Sequence, residues 1–261
     1  MEFIDFHTHV YPEEIARKAA DSIRNYYGFG DKTMDGRAKT LLQRGDIAGT
    51  QRFVILPVAV RPENTRHIND FILQTVAEEP RFFGFGAIHA ATENIIGEVD
   101  YIMEKGLRGI KMHPDFQVFD IDDERLFPVY EHIQGKLPVI LHMGDPCVDY
   151  SHPRRLRRVL EYFPKLQVIA AHFGAYSNYE DGYKYLKDTN CYFDIASSLM
   201  FMGEGVAESY INCYGAERFV YGSDFPMWDP VVEMERFLKL RLTDDQFQQI
   251  AHKTAKQILG I

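Results

Sequence analysis

The chain has 261 residues, 46% of them hydrophobic and 26% charged, which suits a globular protein with one large α/β barrel or two small domains. A net charge of −9 argues against nucleic-acid binding as the main role. Three cysteines without a CxxC spacing argue against a disulfide framework and favour a reducing compartment. Because the N-terminus lacks a signal-peptide pattern and no apolar run approaches 18 residues, we expect a cytoplasmic protein without a membrane partner.

Eight short, apolar and β-branched runs alternate with amphipathic segments of helix length. The runs begin at residues 2, 52, 81, 107, 137, 166, 190 and 218. Near-continuous apolar strands that alternate with helices indicate a parallel sheet covered on both faces. Eight such units predict a (β/α)8 TIM barrel. A doubly wound open sheet is the alternative, but the glycine-rich phosphate loop of that fold does not follow the first run.

No linker or low-complexity segment divides the chain, so we predict a single domain over residues 1–261. The last twenty residues, LTDDQFQQIAHKTAKQILGI, have the pattern of an amphipathic helix. Thr243 is the candidate N-cap of this helix, and Gly260 lies near its end. The barrel therefore carries an extra C-terminal helix in this prediction.

The first run, EFIDFHTHV, contains two histidines two residues apart. In a strand, His7 and His9 point to the same face together with Asp5. Two imidazoles at this spacing can lean onto one ion, because each zinc–nitrogen bond needs only about 2.0–2.1 Å. A pair of histidines on a polar edge strand is the alternative, so the spacing alone leaves a metal site open.

The later runs also end in metal-competent or ionisable residues. These are Lys111 and His113 after the fourth run, His142 after the fifth, His172 after the sixth, Asp194 after the seventh and Asp224 after the eighth. In a TIM barrel these strand ends meet on the C-terminal face, where active sites are built. One buried histidine is commonly a satisfied core residue, but a whole set at equivalent positions is costly unless it has a function.

The motifs HTH, KMHP, LHMGD, AHFGA and YGSDFP, in this order along the chain, resemble those of the amidohydrolase superfamily. More closely, they resemble its amidohydrolase-related branch, which includes aminocarboxymuconate semialdehyde decarboxylase-like enzymes and predicted metal-dependent hydrolases. The resemblance implies a distorted barrel that binds one divalent metal ion, usually zinc. We therefore expect Zn²⁺, with Mn²⁺ as the alternative.

The resemblance also implies a ligand set of His7, His9, His142 and Asp224, with His172 close to the metal-bound water or the substrate. Three nitrogens and one carboxylate leave an open position, as a catalytic metal requires. We expect Asp224 to act as the general base and then the general acid, and His172 to orient the nucleophile or stabilise charge. Binuclear relatives use a carboxylated lysine at the position of Lys111, so a two-metal site is a further alternative. Asp5 is the candidate partner of the ligands.

Four residues are candidates for substrate binding: Lys111, His113, Arg61 and Asp145. The Arg61 guanidinium can pair with a substrate carboxylate, although a surface loop arginine is an equally good interpretation. Asp194 is expected to accept a hydrogen bond at the barrel top. Tyr26 and Tyr27 either line a lid or pack on the barrel rim.

The sequence leaves the reaction open between two enzyme classes. Our main prediction is hydrolysis of a small-molecule C–N or C–O bond in an amide, lactone or cyclic ester by metal-activated water. The alternative is non-oxidative decarboxylation of an aromatic or unsaturated acid. The predicted partner is a small-molecule substrate, with a carboxylic acid as a candidate, and a homodimer is the assembly considered. A non-catalytic binding barrel is a third class, which the full ligand set disfavours.

Overall fold

Short parallel strands alternate with helices in the computed structural model, which describes residues 2–261. The strands are β1 (Ile4–Thr8), β2 (Arg52–Ile55), β3 (Phe82–Gly84), β4 (Gly86–Ala87), β5 (Ile110–Met112), β6 (Val139–Leu141), β7 (Val168–Ala170), β8 (Tyr192–Asp194) and β9 (Phe219–Val220). The helices are α1 (Ala16–Tyr27), α2 (Ala38–Ala48), α3 (Thr65–Glu78), α4 (Ile95–Glu104), α5 (Pro114–Gln117), α6 (Phe127–Ile133), α7 (Pro153–Tyr162), α8 (Tyr179–Leu186), α9 (Val206–Tyr214), α10 (Pro230–Leu238), α11 (Asp244–Gln248) and α12 (Thr254–Leu259).

The residues form two compact units. The first comprises the chain up to Leu56 together with Ile195–Ile261. Within it, β1 pairs in parallel with β2, and the Phe6 N–H donates a hydrogen bond to the Tyr221 carbonyl at 2.8 Å. Every residue of β1 is buried, including the polar ones. The first strand is therefore an interior strand of this unit, and His7 does not lie on an exposed edge.

The second unit comprises Pro57–Asp194. Its strands β4 to β8 pair in parallel with their neighbours in chain order, with a regular register. Val139 of β6, for example, pairs with both Ile110 and Val168. Parallel neighbours need a crossover connection, and a helix or helical turn fills each one here.

The third predicted strand is divided into β3 and β4 at Phe85. The glycines on either side of Phe85 are sites where a helix approaches the backbone closely. A Cβ on Gly84 would lie 2.6 Å from Ile72 Cγ2, and one on Gly86 would lie 2.5 Å from Ile102 Cγ1. The strand breaks where backbone packs directly against side chains of α3 and α4.

The C-terminal segment is helical, as expected, but it is not one regular α-helix. Thr243 caps α11 with a capping box to Gln246, and Gly260 ends α12 with a φ of 67°. Between α11 and α12, residues Gln249–Lys253 form a π-helical turn. The Ile250 carbonyl in this turn accepts a hydrogen bond from the Tyr221 N–H at 2.9 Å, which ties the helix to the segment after β9.

The longest helix, α3, has 14 residues. Across residues 2–261, no helix combines the length and the apolar character needed to cross a lipid bilayer.

Candidate metal centre

Three side chains of the first unit converge on one point. His7 lies on β1, His9 follows it, and Asp224 lies four residues after β9. The Nε2 atoms of His7 and His9 are 3.2 Å apart. Asp224 Oδ1 lies 3.5 Å from His7 Nε2 and 3.4 Å from His9 Nε2. Two ligands about 2.0–2.1 Å from a tetrahedral zinc ion lie about 3.3–3.4 Å apart. The edges of this triangle thus match one face of a metal-coordination tetrahedron.

The hydrogen bonds of His9 define its tautomer. His9 Nδ1 lies 2.5 Å from the Leu56 carbonyl oxygen, which can only accept a hydrogen bond. Nδ1 therefore carries the proton in the neutral ring, and Nε2 presents a lone pair toward His7 and Asp224. A backbone acceptor behind a histidine ligand orients the ring in many metal sites. The donor set of two imidazole nitrogens and one carboxylate oxygen thus fits a divalent ion.

The backbone holds Asp224 beside the first strand. The Asp224 N–H donates to the His7 carbonyl at 2.8 Å, and the His9 N–H donates to the Phe225 carbonyl at 2.6 Å. Asp224 has a φ of 58°, which is uncommon for a residue with a side chain. A Cβ on Gly222 would lie 2.7 Å from His7 Cβ, so the YGSD motif needs glycine for this approach.

Asp5 links the segments that carry the ligands. Its Oδ1 accepts hydrogen bonds from the Ser223 N–H at 2.9 Å and from the His7 N–H at 3.3 Å. Complete burial raises the pKa of Asp5 to about 7, despite the opposing effect of its hydrogen bonds. Asp5 was expected to be a partner of the ligands. It binds the backbone N–H of His7 and that of Ser223, the residue before Asp224.

The second unit has its own group of metal-competent side chains: His113, Asp115 and His142. Asp115 Oδ2 lies 3.8 Å from His142 Nε2 and 3.9 Å from His113 Nδ1. The two imidazoles stack with centroids 3.9 Å apart and planes at 10°, so their in-plane lone pairs run side by side. The Phe116 N–H also donates to His113 Nδ1. This geometry suits an ion less well than the triangle of His7, His9 and Asp224.

His172 contacts the predicted ligand His142 within the second unit. Their Nε2 and Nδ1 atoms are 3.1 Å apart, and both side chains are buried. The His172 N–H donates to Asp194 Oδ1 at 2.8 Å, so Asp194 acts as the expected hydrogen-bond acceptor. Like Asp224, His172 has a positive φ, of 60°. Two residues with predicted catalytic roles therefore have left-handed backbone, which occurs often at functional sites.

The predicted substrate residues occupy different environments in the second unit. Lys111 is buried on β5, with 1% of its surface exposed, and His113 caps α5. Arg61 is exposed at the start of the turn Pro62–Asn64. Asp145 lies in the loop after β6, where its Oδ1 accepts a hydrogen bond from the Cys147 N–H at 2.8 Å. Their roles in substrate binding stay predictions.

Three residues at these sites were not singled out from the sequence. Asp115 follows the KMHP motif, and burial raises its pKa to about 7. Ser197 donates a hydrogen bond to Asp224 Oδ2 and accepts one from Trp228 Nε1–H at 2.8 Å. Trp228 is the only tryptophan in the chain and follows YGSDFP by two residues, which was the available signal.

Aromatic side chains surround Trp228 in the first unit. Phe29 stacks on it with centroids 5.9 Å apart and planes at 13°, and Phe201 packs edge-on at 6.2 Å. Phe201 is 47% exposed. Tyr27 extends the cluster, with its ring centroid 5.8 Å from that of Phe29. This partly exposed aromatic surface is thus linked to Asp224 through the Ser197 hydroxyl, which bonds to both Trp228 and Asp224.

Comparison with known proteins identifies relatives. The amidohydrolase family model matches residues 4–261. A 2-amino-3-carboxymuconate-6-semialdehyde decarboxylase from Dictyostelium discoideum is 28% identical over an alignment of 169 residues, which covers 50% of this chain and 45% of that protein. The match thus spans less than half the length of this curated relative.

Two solved structures extend the comparison to the whole fold. An uncharacterised TIM-barrel protein from Bordetella bronchiseptica has a TM-score of 0.83 at 22% identity, covering 100% of this chain and 99% of that one. A dihydroxybenzoic acid decarboxylase from Polaromonas sp., with bound manganese and the inhibitor 2-nitroresorcinol, has a TM-score of 0.77 at 16% identity, covering 99% and 97%. These matches confirm the predicted TIM-barrel fold.

The family model covers nearly the whole chain, and the first unit places a metal-competent triangle on the HTH and YGSD motifs. The resemblance seen in the sequence is therefore confirmed, and the chain belongs to the amidohydrolase family of metal-dependent enzymes.

Proposed function

We propose that the protein is a metal-dependent decarboxylase of an aromatic or unsaturated carboxylic acid. The observation that carries the proposal is the aromatic surface of Phe29, Phe201 and Trp228 beside Asp224. Planar rings stack favourably on aromatic faces. Two of the relatives described above have a named activity, and both are decarboxylases, one of a carboxymuconate semialdehyde and one of a dihydroxybenzoic acid. These observations favour the alternative reaction over the hydrolysis that was our main prediction from the sequence.

The proposed ion is Zn²⁺ or Mn²⁺, held by His7, His9 and Asp224, with His142 as the predicted fourth ligand. Two imidazoles and a carboxylate suit zinc, while manganese is the ion in the Polaromonas relative. A bound ion would supply positive charge to hold the substrate carboxylate and an adjacent oxygen. Lys111, His113, Arg61 and Asp145 stay candidates for further substrate contacts.

Decarboxylation then requires that a protein residue transfers one proton to the substrate. Asp224, in its protonated form, donates a proton to the substrate carbon that bears the carboxylate. The bond between that carbon and the carboxylate breaks, its electron pair stays on the substrate carbon, and carbon dioxide leaves. Solvent returns a proton to Asp224. His172 stabilises charge that develops on the substrate oxygen.

The test is a panel of carboxylated aromatic and unsaturated acids, run beside a panel of lactones and amides. We expect the metal-loaded protein to release carbon dioxide from at least one acid and to hydrolyse no lactone or amide. His9→Ala and His142→Ala should each lower bound metal and abolish that release. His132→Ala is the matched control, because His132 pairs with Asp100 at the surface.

Lactone or amide hydrolysis without carbon dioxide release would contradict the proposal and restore the hydrolase prediction. Absence of a stoichiometric divalent ion in the wild-type protein would contradict both reactions. Full metal content in His142→Ala would remove that residue from the ligand set.

A further inference from the structure

Two residues that no motif of the sequence indicated form a chain of hydrogen bonds that ends at the carboxylate of Asp224. Ser197 Oγ donates a hydrogen bond to Asp224 Oδ2, and the other oxygen, Oδ1, faces His7 and His9. The two carboxylate oxygens therefore have different partners. One is engaged by a hydroxyl, and the other is presented to the metal triangle.

Trp228 determines the direction of that hydroxyl. Its indole Nε1–H is a donor only, and it points at Ser197 Oγ over 2.8 Å. One lone pair of the serine oxygen is thereby used, so the serine proton is directed toward Asp224. The chain of hydrogen bonds runs from Trp228 through Ser197 to Asp224, and at each step the earlier residue is the donor.

The packing of both residues makes this arrangement rigid. Ser197 is 5% exposed and has a φ of 50°, a conformation that its surroundings must maintain because a side chain at positive φ is strained. The Trp228 ring is stacked on Phe29 and lies 5.9 Å from the Arg236 guanidinium. Neither partner is free to reorient without losing these contacts.

We propose that Ser197 and Trp228 are positioning residues that orient the Asp224 carboxylate for metal binding. The inference rests on the proposed metal-dependent function, but it concerns metal affinity and not the reaction. Hydrogen bonds to a carboxylate ligand fix its geometry, and their loss typically costs about 10–100-fold in metal affinity or activity.

The experiment measures Zn²⁺ affinity of metal-free protein by competition with a chelator. Ser197→Ala and Ser197→Gly should each weaken Zn²⁺ binding about 10–100-fold. Glycine adopts positive φ without strain, so Ser197→Gly keeps the backbone even where alanine does not. Trp228→Phe keeps an aromatic ring at this position but removes the N–H, and it should weaken binding by about half an order of magnitude or more.

Ser198→Ala is the matched control. Ser198 is fully buried and adjacent in sequence, but its hydroxyl donates to the Ala196 carbonyl. This variant loses the same chemical group and should bind Zn²⁺ like the wild type. An equal loss of affinity in Ser198→Ala would overturn the proposal, since any buried hydroxyl of the segment would then serve.

The single tryptophan gives a second measurement that a purely structural role would not change. When the protein is excited at a wavelength that its 15 tyrosines do not absorb, its fluorescence comes from Trp228 alone. Saturation with Zn²⁺ should shift its emission through Ser197, and Ser197→Gly should lose most of that shift. Unchanged emission in the wild type, or wild-type Zn²⁺ affinity in Ser197→Gly, would overturn the proposal. A wild type that binds zinc but releases no carbon dioxide would instead contradict the proposed function alone.

Discussion

At the scale of single residues, each group of the triangle has a defined task. His9 carries its proton on Nδ1, which donates a hydrogen bond to the Leu56 carbonyl, so Nε2 is available to a metal. Asp224 presents Oδ1 to both histidines while Ser197 holds Oδ2. The arrangement explains why a neutral amide in place of this carboxylate would be a poor ligand and a poor proton donor.

Asp224→Asn should therefore remove most turnover and leave metal partly bound. The amide keeps one oxygen that can still contact an ion, but it has neither the negative charge nor an acidic proton to donate. We expect kcat to fall at least about 100-fold, the usual range for loss of a general acid or base. Steady-state kinetics together with metal analysis of the purified variant measure both effects. Wild-type turnover in Asp224→Asn would exclude Asp224 as the proton donor.

At the scale of elements, the site depends on how closely the segment after β9 approaches β1. The His7 and Phe225 carbonyls accept hydrogen bonds from Asp224 and His9 across these two segments. Gly222 allows the approach, because a Cβ there would lie 2.7 Å from His7 Cβ and 3.2 Å from Ala196 Cβ. Neither of these atoms is the far end of a flexible side chain.

Gly222→Ala should destabilise the fold and weaken metal binding together. Overpacking of this kind costs about 1–3 kcal/mol in the free energy of unfolding, and the displaced atom belongs to a ligand. Urea denaturation and Zn²⁺ titration are the measurements. Gly203→Ala is the matched control in the same unit, since its Cβ would meet only Val206 Cγ2 at 3.7 Å. Unfolding and Zn²⁺ binding unchanged in Gly222→Ala would contradict this role of the glycine.

At the scale of the whole molecule, buried acids make stability depend on pH. Glu233 on α10 is 1% exposed, and burial raises its pKa from 4.5 to about 8, although Arg236 opposes the shift. Between about pH 4.5 and pH 8, the folded protein thus keeps a proton on Glu233 that the unfolded chain has already released. The stabilisation is present below this window and is lost as the pH rises through it.

Glu233→Gln should flatten the decline of stability between pH 5 and pH 8. We expect the wild type to lose on the order of 2 kcal/mol more than the variant over this range. Urea denaturation of metal-free protein at constant ionic strength measures the difference. Glu235→Gln, on the exposed face of the same helix, should behave like the wild type. Identical slopes for wild type and Glu233→Gln would show that Glu233 does not hold the proton.

The fold was predictable because its signals are local. Each apolar run of a few residues indicates a strand, and the alternation with helices is visible along the chain. The strands are nevertheless shorter than the apolar runs. Phe85 divides the third run into β3 and β4, and β5 in the fourth run ends at Met112. The single-domain prediction stays a prediction beside the two compact units. The π-helical turn near Ile250 was not predictable, because no local pattern of the sequence marks it and its Ile250 carbonyl bonds to Tyr221, which is distant along the chain.

The sequence by itself determined the parallel α/β class, the family and the histidine pair. Those features depend on residue type at short spacing, as in HTH, or on motifs in a fixed order. Only the tertiary structure decided which oxygen of Asp224 faces the histidines, and that Ser197, which accepts a hydrogen bond from Trp228, donates one to the other oxygen. It also placed Asp115 between His113 and His142. Such contacts join residues that are distant in sequence or turned by backbone at positive φ, and no local pattern encodes them.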